Sequence, residues 1–465
     1  MKRLPMCECA RPVWERWKKK ISTKKLLLLA ILLIAAFLRL VNLYSQSPNL
    51  FSELGWVWSR RLNYLPPQCT LILDKWPFHN LIHFIAEWFL YALGYMFGFF
   101  KSVVDFDSRR LTDVWMFLFT GRMVNALFGI ATVYVAYLIG KQNEDENTGL
   151  LSALFLSVMY LHVRESRFIA YRIPLVFFVT LAFLFLLRMF EGKRKYYLLT
   201  GFLIGLGGAI KPSSFVTVAP FLLAHVLRFT TVSEAFKKTS LKPLFAGIVF
   251  IALGFFAGYP LFFKNLDAIL FAFKHYSVTL TTELPWSFPD SPSWSGYVRI
   301  LYESVGLSFL IPFVAGAVYS VWRKDRKMIV VTGYVLCIYI CLCGMRILMP
   351  YYTLYMLPFI AFIGASFLGR MKSYFPLRPA TSIIFIGIIL VLISSPVLKI
   401  FRGPLLKASN NREKVLKEFL ETVVPPDKVL LDDRGHLVDT LPIILKISDR
   451  YYSPKSYSKL YPKRR

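Results

Sequence analysis

Apolar blocks of about 20 residues recur along this chain, and no other feature limits its fold so strongly. Residues 26–43, 244–263 and 382–398 are three of them. A helix of that length spans the hydrocarbon of a bilayer, and within a bilayer only helices or closed barrels satisfy their own backbone. Such runs exceed what one soluble core can bury. Hydrophobic residues make up 56% of the 465 positions, against roughly 45–50% in an ordinary soluble domain. The chain therefore reads as an all-α polytopic membrane protein.

The charge pattern orients it. There are 56 Lys and Arg against 27 Asp and Glu, a formal charge of +29. No zinc-finger spacing and no aromatic-basic sheet motif accompanies this excess, so nucleic acid is not the expected partner. Loops retained on the cytoplasmic side and attracted to anionic membrane lipids account for it. Residues 1–25 form a basic leader with Lys18, Lys19, Lys20, Lys24 and Lys25. A long apolar run follows with no small-residue cleavage site, so the leader belongs to a retained first span with its amino end in the cytoplasm.

Further basic loops fall at 188–195, 228–242, 323–327 and 370–378, and two apolar segments separate each from the next. Five apolar segments precede residue 188, one too many for the same side. Segment 78–100 is rich in aromatics and carries His79, His83 and Glu87. It is expected to be an amphipathic or re-entrant helix at the outer interface. About eleven spans remain within 26–399, with a first outer loop at 44–115. The outer tail, 400–465, is expected to hold a helix at 411–422 and then a turn and strand at 424–432. The location expected is the cell (plasma) membrane, with the carboxyl end outside.

Six cysteines make no framework. Cys7 and Cys9 lie in the leader, Cys69 in a loop, and Cys337, Cys341 and Cys343 in an apolar helix without acidic or histidine neighbours. They read as small buried thiols, and no metal site is expected from them.

Ionisable side chains at membrane depth are costly and are functional candidates by default. Glu53, Asp74, Arg122, Arg164, Arg167, Arg172, Lys211 and Arg346 all fall at outer ends of spans in this topology. One arginine alone reads as a snorkelling anchor. Several on one side suit a phosphate or pyrophosphate headgroup, because arginine meets phosphate with paired hydrogen bonds and lysine adds a compact charge. A carboxylate beside them is placed to act as general base.

In that order along the chain, these residues resemble motifs of the GT-C membrane glycosyltransferases, in the clan of the protein O-mannosyltransferases and aminoarabinose transferases. Ser52-Glu53 falls where the clan has an acidic pair in its first outer loop. DKWPFHNL (74–81), with Asp74 and His79, is similar to the clan's D-x-H-P-P-L interface helix. RMVNALFG (122–129) matches an arginine opening a span. SRFIAYRIP (166–174), with Arg167 and Arg172, resembles S-R-x-x-x-x-D-x-P. GLGGAIK (205–211) resembles G-L-x-x-x-x-K, and Arg346 through Tyr351 and Tyr352 to Pro358 is similar to R-Y-x-x-x-x-x-P. The resemblance runs over residues 26–370.

The resemblance implies an inverting transfer from a polyprenyl-phosphate sugar to a lipid, glycan or protein acceptor at the outer face, in glycosylation of the cell envelope. Glu53 would be the catalytic base. Lys211, Arg346 and Arg172 would bind the donor phosphate, and Asp74, His79, Arg122, Arg167, Tyr351 and Tyr352 would support them. No obligatory metal or other cofactor is expected. The chain departs from the clan at Ser52 and at Arg172, each of which stands where an acid is usual. An inactive lipid-phosphate-binding relative is therefore a second reading, and a transporter or flippase a third.

Overall fold

The computed structural model describes residues 23–44, 53, 77–112, 114–263, 266, 293–344, 348–374 and 379–402. The tail expected at 400–465 lies almost wholly outside them, as do Asp74 and Arg346. Among the described residues every regular element is helical. They are α1 (Thr23–Leu40), α2 (Pro77–Met96), α3 (Val103–Thr112), α4 (Val114–Asn143), α5 (Glu146–Val158), α6 (Tyr160–Glu165) and α7 (Arg172–Leu186). Next come α8 (Arg194–Ile210), α9 (Val218–Arg228), α10 (Val232–Ala235) and α11 (Lys238–Gly258). The last are α12 (Ser293–Val305), α13 (Leu307–Trp322), α14 (Arg326–Cys343), α15 (Leu357–Tyr374) and α16 (Pro379–Arg402). Short 3-10 helices extend α7 (Leu187–Glu191) and precede α9 (Pro212–Thr217) and α15 (Pro350–Met356).

The protein is a multi-pass membrane protein. Six of the described helices are long and apolar enough to cross a bilayer by themselves, and α12 with α13, bent by 114°, forms either a broken span or a re-entrant loop. Other passages expected from the loop charges are shorter or interrupted. The α5–α6 pair breaks at Met159, and α8 stops at Lys211 ahead of Pro212. A residue before proline is driven out of the helical region, and Lys211 is accordingly extended (φ −153°, ψ 126°). Each break leaves ionisable groups at a helix end.

Most residues of α7 and of α15 with its 3-10 lead are buried, whereas α11 and α16 are largely exposed at the rim. The tightest helix pair is α8 with α11. A Cβ on Gly201 would come within 2.1 Å of the Gly247 carbonyl oxygen, and one on Gly205 equally close to that of Ile251. Small residues of this kind let two membrane helices approach backbone to backbone.

The helix expected at 78–100 is α2, and its amphipathicity is inverted. His79, Asn80, His83 and Glu87 are buried, while Ile85, Phe89 and Met96 are exposed. A polar face turned to protein and an apolar face turned outward suit a helix bordered by lipid. Arg122 was expected to open its span. It lies instead in the third turn of α4, since that helix begins at Val114.

Polar contacts gather at two ends of the bundle. At one end the expected cytoplasmic loops touch each other: Arg188 donates to Gln142 at 2.6 Å, and Arg326 to the Phe229 carbonyl at 3.1 Å. There Arg370 pairs with Glu144 and, at 2.5 Å, with Asp325, tying three loops together. Lys24 reaches Glu146 at 3.4 Å at this same end. The loops grouped by charge in the sequence thus share one end of the fold. The opposite end holds every described candidate site residue.

Candidate active site

Two groups of basic side chains occupy that opposite end, and they have different surroundings. The first is built on the breaks in the helices. Arg172 is the first residue of α7, and its guanidinium carbon lies 3.7 Å from the ring centre of Tyr351. Lys211 follows the last turn of α8. Its ammonium donates to the Tyr171 hydroxyl at 2.8 Å and stands 4.8 Å from the ring centres of both Tyr171 and Tyr352. The Tyr351 and Tyr352 rings are 4.7 Å apart. Pro350 starts the 3-10 helix that carries these two tyrosines, as Pro212 starts the one after Lys211. Proline is suited to a first helical position, where its missing N–H costs nothing.

The cage holds Lys211 with no carboxylate partner among the described residues. Burial pushes its ammonium down to about 8 from the usual lysine value, because the charged form loses water. Cation–π contacts supply part of what water would have given. Arg172, in contrast, is paired with Glu165, whose other oxygen takes a 2.6 Å bond from Arg164. Glu165 is buried.

The second group is the buried arginine layer of Arg39, Arg122 and Arg167. Arg39 donates to the Ser157 and Leu156 carbonyls at 3.1 and 3.4 Å, and meets His162 Nδ1 at 2.7 Å. Those carbonyls are the last of α5, left without partners by the break at Met159, so Arg39 caps that helix. Arg167 donates to the Leu38 carbonyl at 3.0 Å in the last turn of α1. Arg122 donates to the Leu43 carbonyl at 3.1 Å and holds Glu53 with two bonds of 3.0 and 2.7 Å. Glu53 also accepts from the Ile169 backbone N–H at 2.9 Å.

The layer positions the segment that leads into the cage. Asn125 donates to the Phe168 and Ala170 carbonyls on either side of the Ile169 N–H that Glu53 receives. Residues 166–171 are thereby pinned to α4, and Tyr171 and Arg172 come next in the chain. His79 packs against His83, ring centres 4.4 Å apart, on the buried face of α2. Among the described residues no group of three His, Cys, Asp or Glu is placed to hold a metal ion.

The structure therefore brings Lys211, Arg172, Tyr351 and Tyr352 together. It sets Glu53, Arg122 and Arg167 in a separate layer, bonded to backbone groups and to each other through the Arg122–Glu53 pair. The sequence reading missed Glu165, Tyr171, Arg39 and His162. Glu165 had a readable signal: it is a lone carboxylate between Arg164 and Arg167, four residues after Leu161, in otherwise apolar sequence. Tyr171 had none beyond its place beside Arg172.

The comparisons with known proteins fit this geometry. Residues 117–259 match the family model for dolichyl-phosphate-mannose-protein mannosyltransferase. The oligosaccharyltransferase of Archaeoglobus fulgidus in its apo form superposes with a TM-score of 0.56 at 13% identity, over 89% of this chain and 60% of that one. ArnT from Cupriavidus metallidurans bound to undecaprenyl phosphate gives 0.51 at 14% identity, over 94% of this chain and 81% of that one. A protein of Aquifex aeolicus (strain VF5), described only as "Uncharacterized protein", is 30% identical over 76 residues, 16% of this chain. The present chain spans only 15% of that relative's length and 60% of the archaeal enzyme's. The fold is that of the GT-C membrane glycosyltransferases. The segment matched by the mannosyltransferase family includes Arg122, Glu165, Arg172 and Lys211.

Proposed function

We propose that this protein is a membrane glycosyltransferase that takes its sugar from a polyprenyl-phosphate donor, and that the tyrosine cage around Lys211 and Arg172 holds the donor's phosphate. The single observation that carries the reading is Lys211. A half-buried ammonium with aromatic and hydroxyl neighbours but no carboxylate partner among the described residues is suited to an anion. Another structure of the Archaeoglobus fulgidus oligosaccharyltransferase is in complex with an inhibitory peptide and a dolichol-phosphate, and ArnT is bound to undecaprenyl phosphate, which supports the same ligand class here. Arg346, two positions before Leu348 in the sequence, adds a further cation in this reading.

The chemistry is an inverting displacement. An acceptor hydroxyl or amine attacks the anomeric carbon opposite the phosphate, the carbon–oxygen bond to phosphate breaks, and polyprenyl phosphate leaves with the bonding pair. Lys211 and Arg172 stabilise the charge that develops on it. The acceptor's proton goes to a carboxylate. Glu53, the base expected from sequence, is held by Arg122 and the Ile169 N–H. Glu165 shares Arg172 with the cage. A phosphate arriving there competes with Glu165 for Arg172 and frees the carboxylate oxygen that Arg172 holds, while Arg164 keeps the other. This reading assigns proton acceptance to Glu165 and anchoring of the first outer loop to Glu53.

Sugar transfer from radiolabelled polyprenyl-phosphate sugars by the purified protein tests the assignment. Glu165→Gln should abolish transfer and leave polyprenyl-phosphate binding in place. Loss of transfer in a well-folded Glu53→Gln, with transfer kept in Glu165→Gln, would return the base role to Glu53. Binding without transfer of any donor would favour an inactive relative, and movement of the lipid between leaflets would favour a flippase. The reading carries no obligatory metal. Turnover in chelator supports that, and loss restored by manganese overturns it. The site faces outward, with the amino end in the cytoplasm, on the strength of the basic loops alone.

A further inference from the structure

An open cleft lies at the other end of the bundle. It has a volume of about 800 Å³ and is lined by Gly192, Arg194, Lys238, Lys242 and the apolar residues Phe236, Leu241, Pro243 and Phe245. No acid lines it. The nearest in sequence, Glu191, is paired with Lys193 at 3.0 Å. Arg228 adds charge beneath the cleft, its guanidinium lying against Gly192. We propose that this cleft binds the headgroup of an anionic phospholipid.

The backbone adds to the side-chain charge. The cleft sits where α8 and α11 begin, side by side because of their glycine contacts. Neither helix has a side-chain cap or an acid in its first turn. Two positive helix ends and at least three cations therefore face one space. The apolar part selects a lipid over a free anion. Phe236 and Phe245 are exposed at the rim, and from Phe245 an exposed stripe runs along α11 through Ile248, Val249, Leu253 and Phe256. These positions share one helical face. A phosphate in the cleft would lay its acyl chains along that stripe.

This is a second lipid site, separate from the donor's. The 17 residues of α8 place Arg194 about 25 Å from Lys211 along the axis, close to the thickness of the hydrocarbon core. The cleft thus serves the leaflet opposite the one that meets the tyrosine cage, and the same basic loops stand there.

The test uses the full chain in nanodiscs or mixed micelles, with phosphatidylglycerol and phosphatidylcholine as probes in native mass spectrometry. Wild type should retain phosphatidylglycerol in preference to phosphatidylcholine. The triple variant Arg194→Gln, Lys238→Gln, Lys242→Gln should lose at least about 10-fold of that preference, since each cation near an anionic surface matters several-fold. Phe245→Ala should weaken lipid retention without altering the headgroup preference. Equal retention of the two lipids by wild type, or an unchanged preference in the folded triple variant, would overturn the proposal. Displacement of the lipid by an equal concentration of inorganic phosphate would also overturn it, because the acyl chains would then contribute nothing. If the triple variant misfolds, Lys238→Gln alone should still reduce the preference, and no reduction there counts against the site.

Discussion

The arginine layer and the tyrosine cage lie at the same end of the bundle, yet the partners of their cations differ in kind. Arg39, Arg122 and Arg167 are surrounded by backbone carbonyls and one carboxylate, all of them protein groups. Lys211 and Arg172 face tyrosine rings and hydroxyls, and only Arg172 has a carboxylate. A charge bonded to backbone carbonyls of its own chain holds the fold. A charge left with π-faces and a hydroxyl has capacity for a ligand. Location in the sequence and side of the membrane do not separate the two groups; their partners do.

The comparison breaks first at Arg122. Arg122→Met leaves Glu53 buried and uncompensated, which typically costs about 3–5 kcal/mol, read as a fall in detergent-solubilised thermal or denaturant stability. Replacing both partners, Glu53→Gln with Arg122→Met, should recover a good part of that loss. A single variant as stable as wild type would place Arg122 with the ligand-binding cations instead.

Lys211→Gln should do the opposite. Removing one preorganised donor for a developing oxyanion costs about 10²–10³ in rate, so transfer should nearly vanish while stability stays close to wild type. Stability lost in proportion to activity would make Lys211 a structural residue.

The pH profile gives a smaller effect from the same lysine. Its ammonium is pushed down to about 8, so the cationic form that attracts phosphate dominates below that value and disappears above it. With kcat/KM reporting the free enzyme, the profile should be level at neutral pH and fall as pH rises through about 8. Lys211→Arg, which stays charged, should remove the fall even where it slows the reaction. A profile that falls identically in the arginine variant would assign the titration elsewhere.

Arg39→Met should have the smallest effect. It removes the cap on the last carbonyls of α5 and leaves them buried, a cost of about 1–3 kcal/mol, while transfer by the folded fraction is unchanged. Reduced transfer at full stability would bring Arg39 into the site.

Much of the architecture was legible because it depends on length and charge. The apolar runs required helices, and the basic loops at 188–195, 228–242, 323–327 and 370–378 meet at one end through Arg188, Arg326 and Arg370. Helix α2 was legible as a departure from a simple span because of His79, His83 and Glu87. What sequence could not supply was pairing. Arg122 and Lys211 look alike as single charges in apolar sequence, and only the fold brings Glu53 across 69 positions to the first and Tyr352 across to the second. Glu165 was legible as a lone carboxylate, but its role was not. It stands outside the pattern that drew attention to Arg167 and Arg172, and its importance lies in a contact with Arg172 made around the turn between α6 and α7.

Binding of undecaprenyl phosphate to the purified full-length protein tests the central claim most directly, with Lys211→Gln and Arg39→Met measured beside wild type. The account predicts that wild type and Arg39→Met bind alike and that Lys211→Gln binds at least about 10-fold more weakly, the loss expected for a charge-assisted contact. Undiminished binding by Lys211→Gln, with binding lost in a folded Arg39→Met, would contradict it.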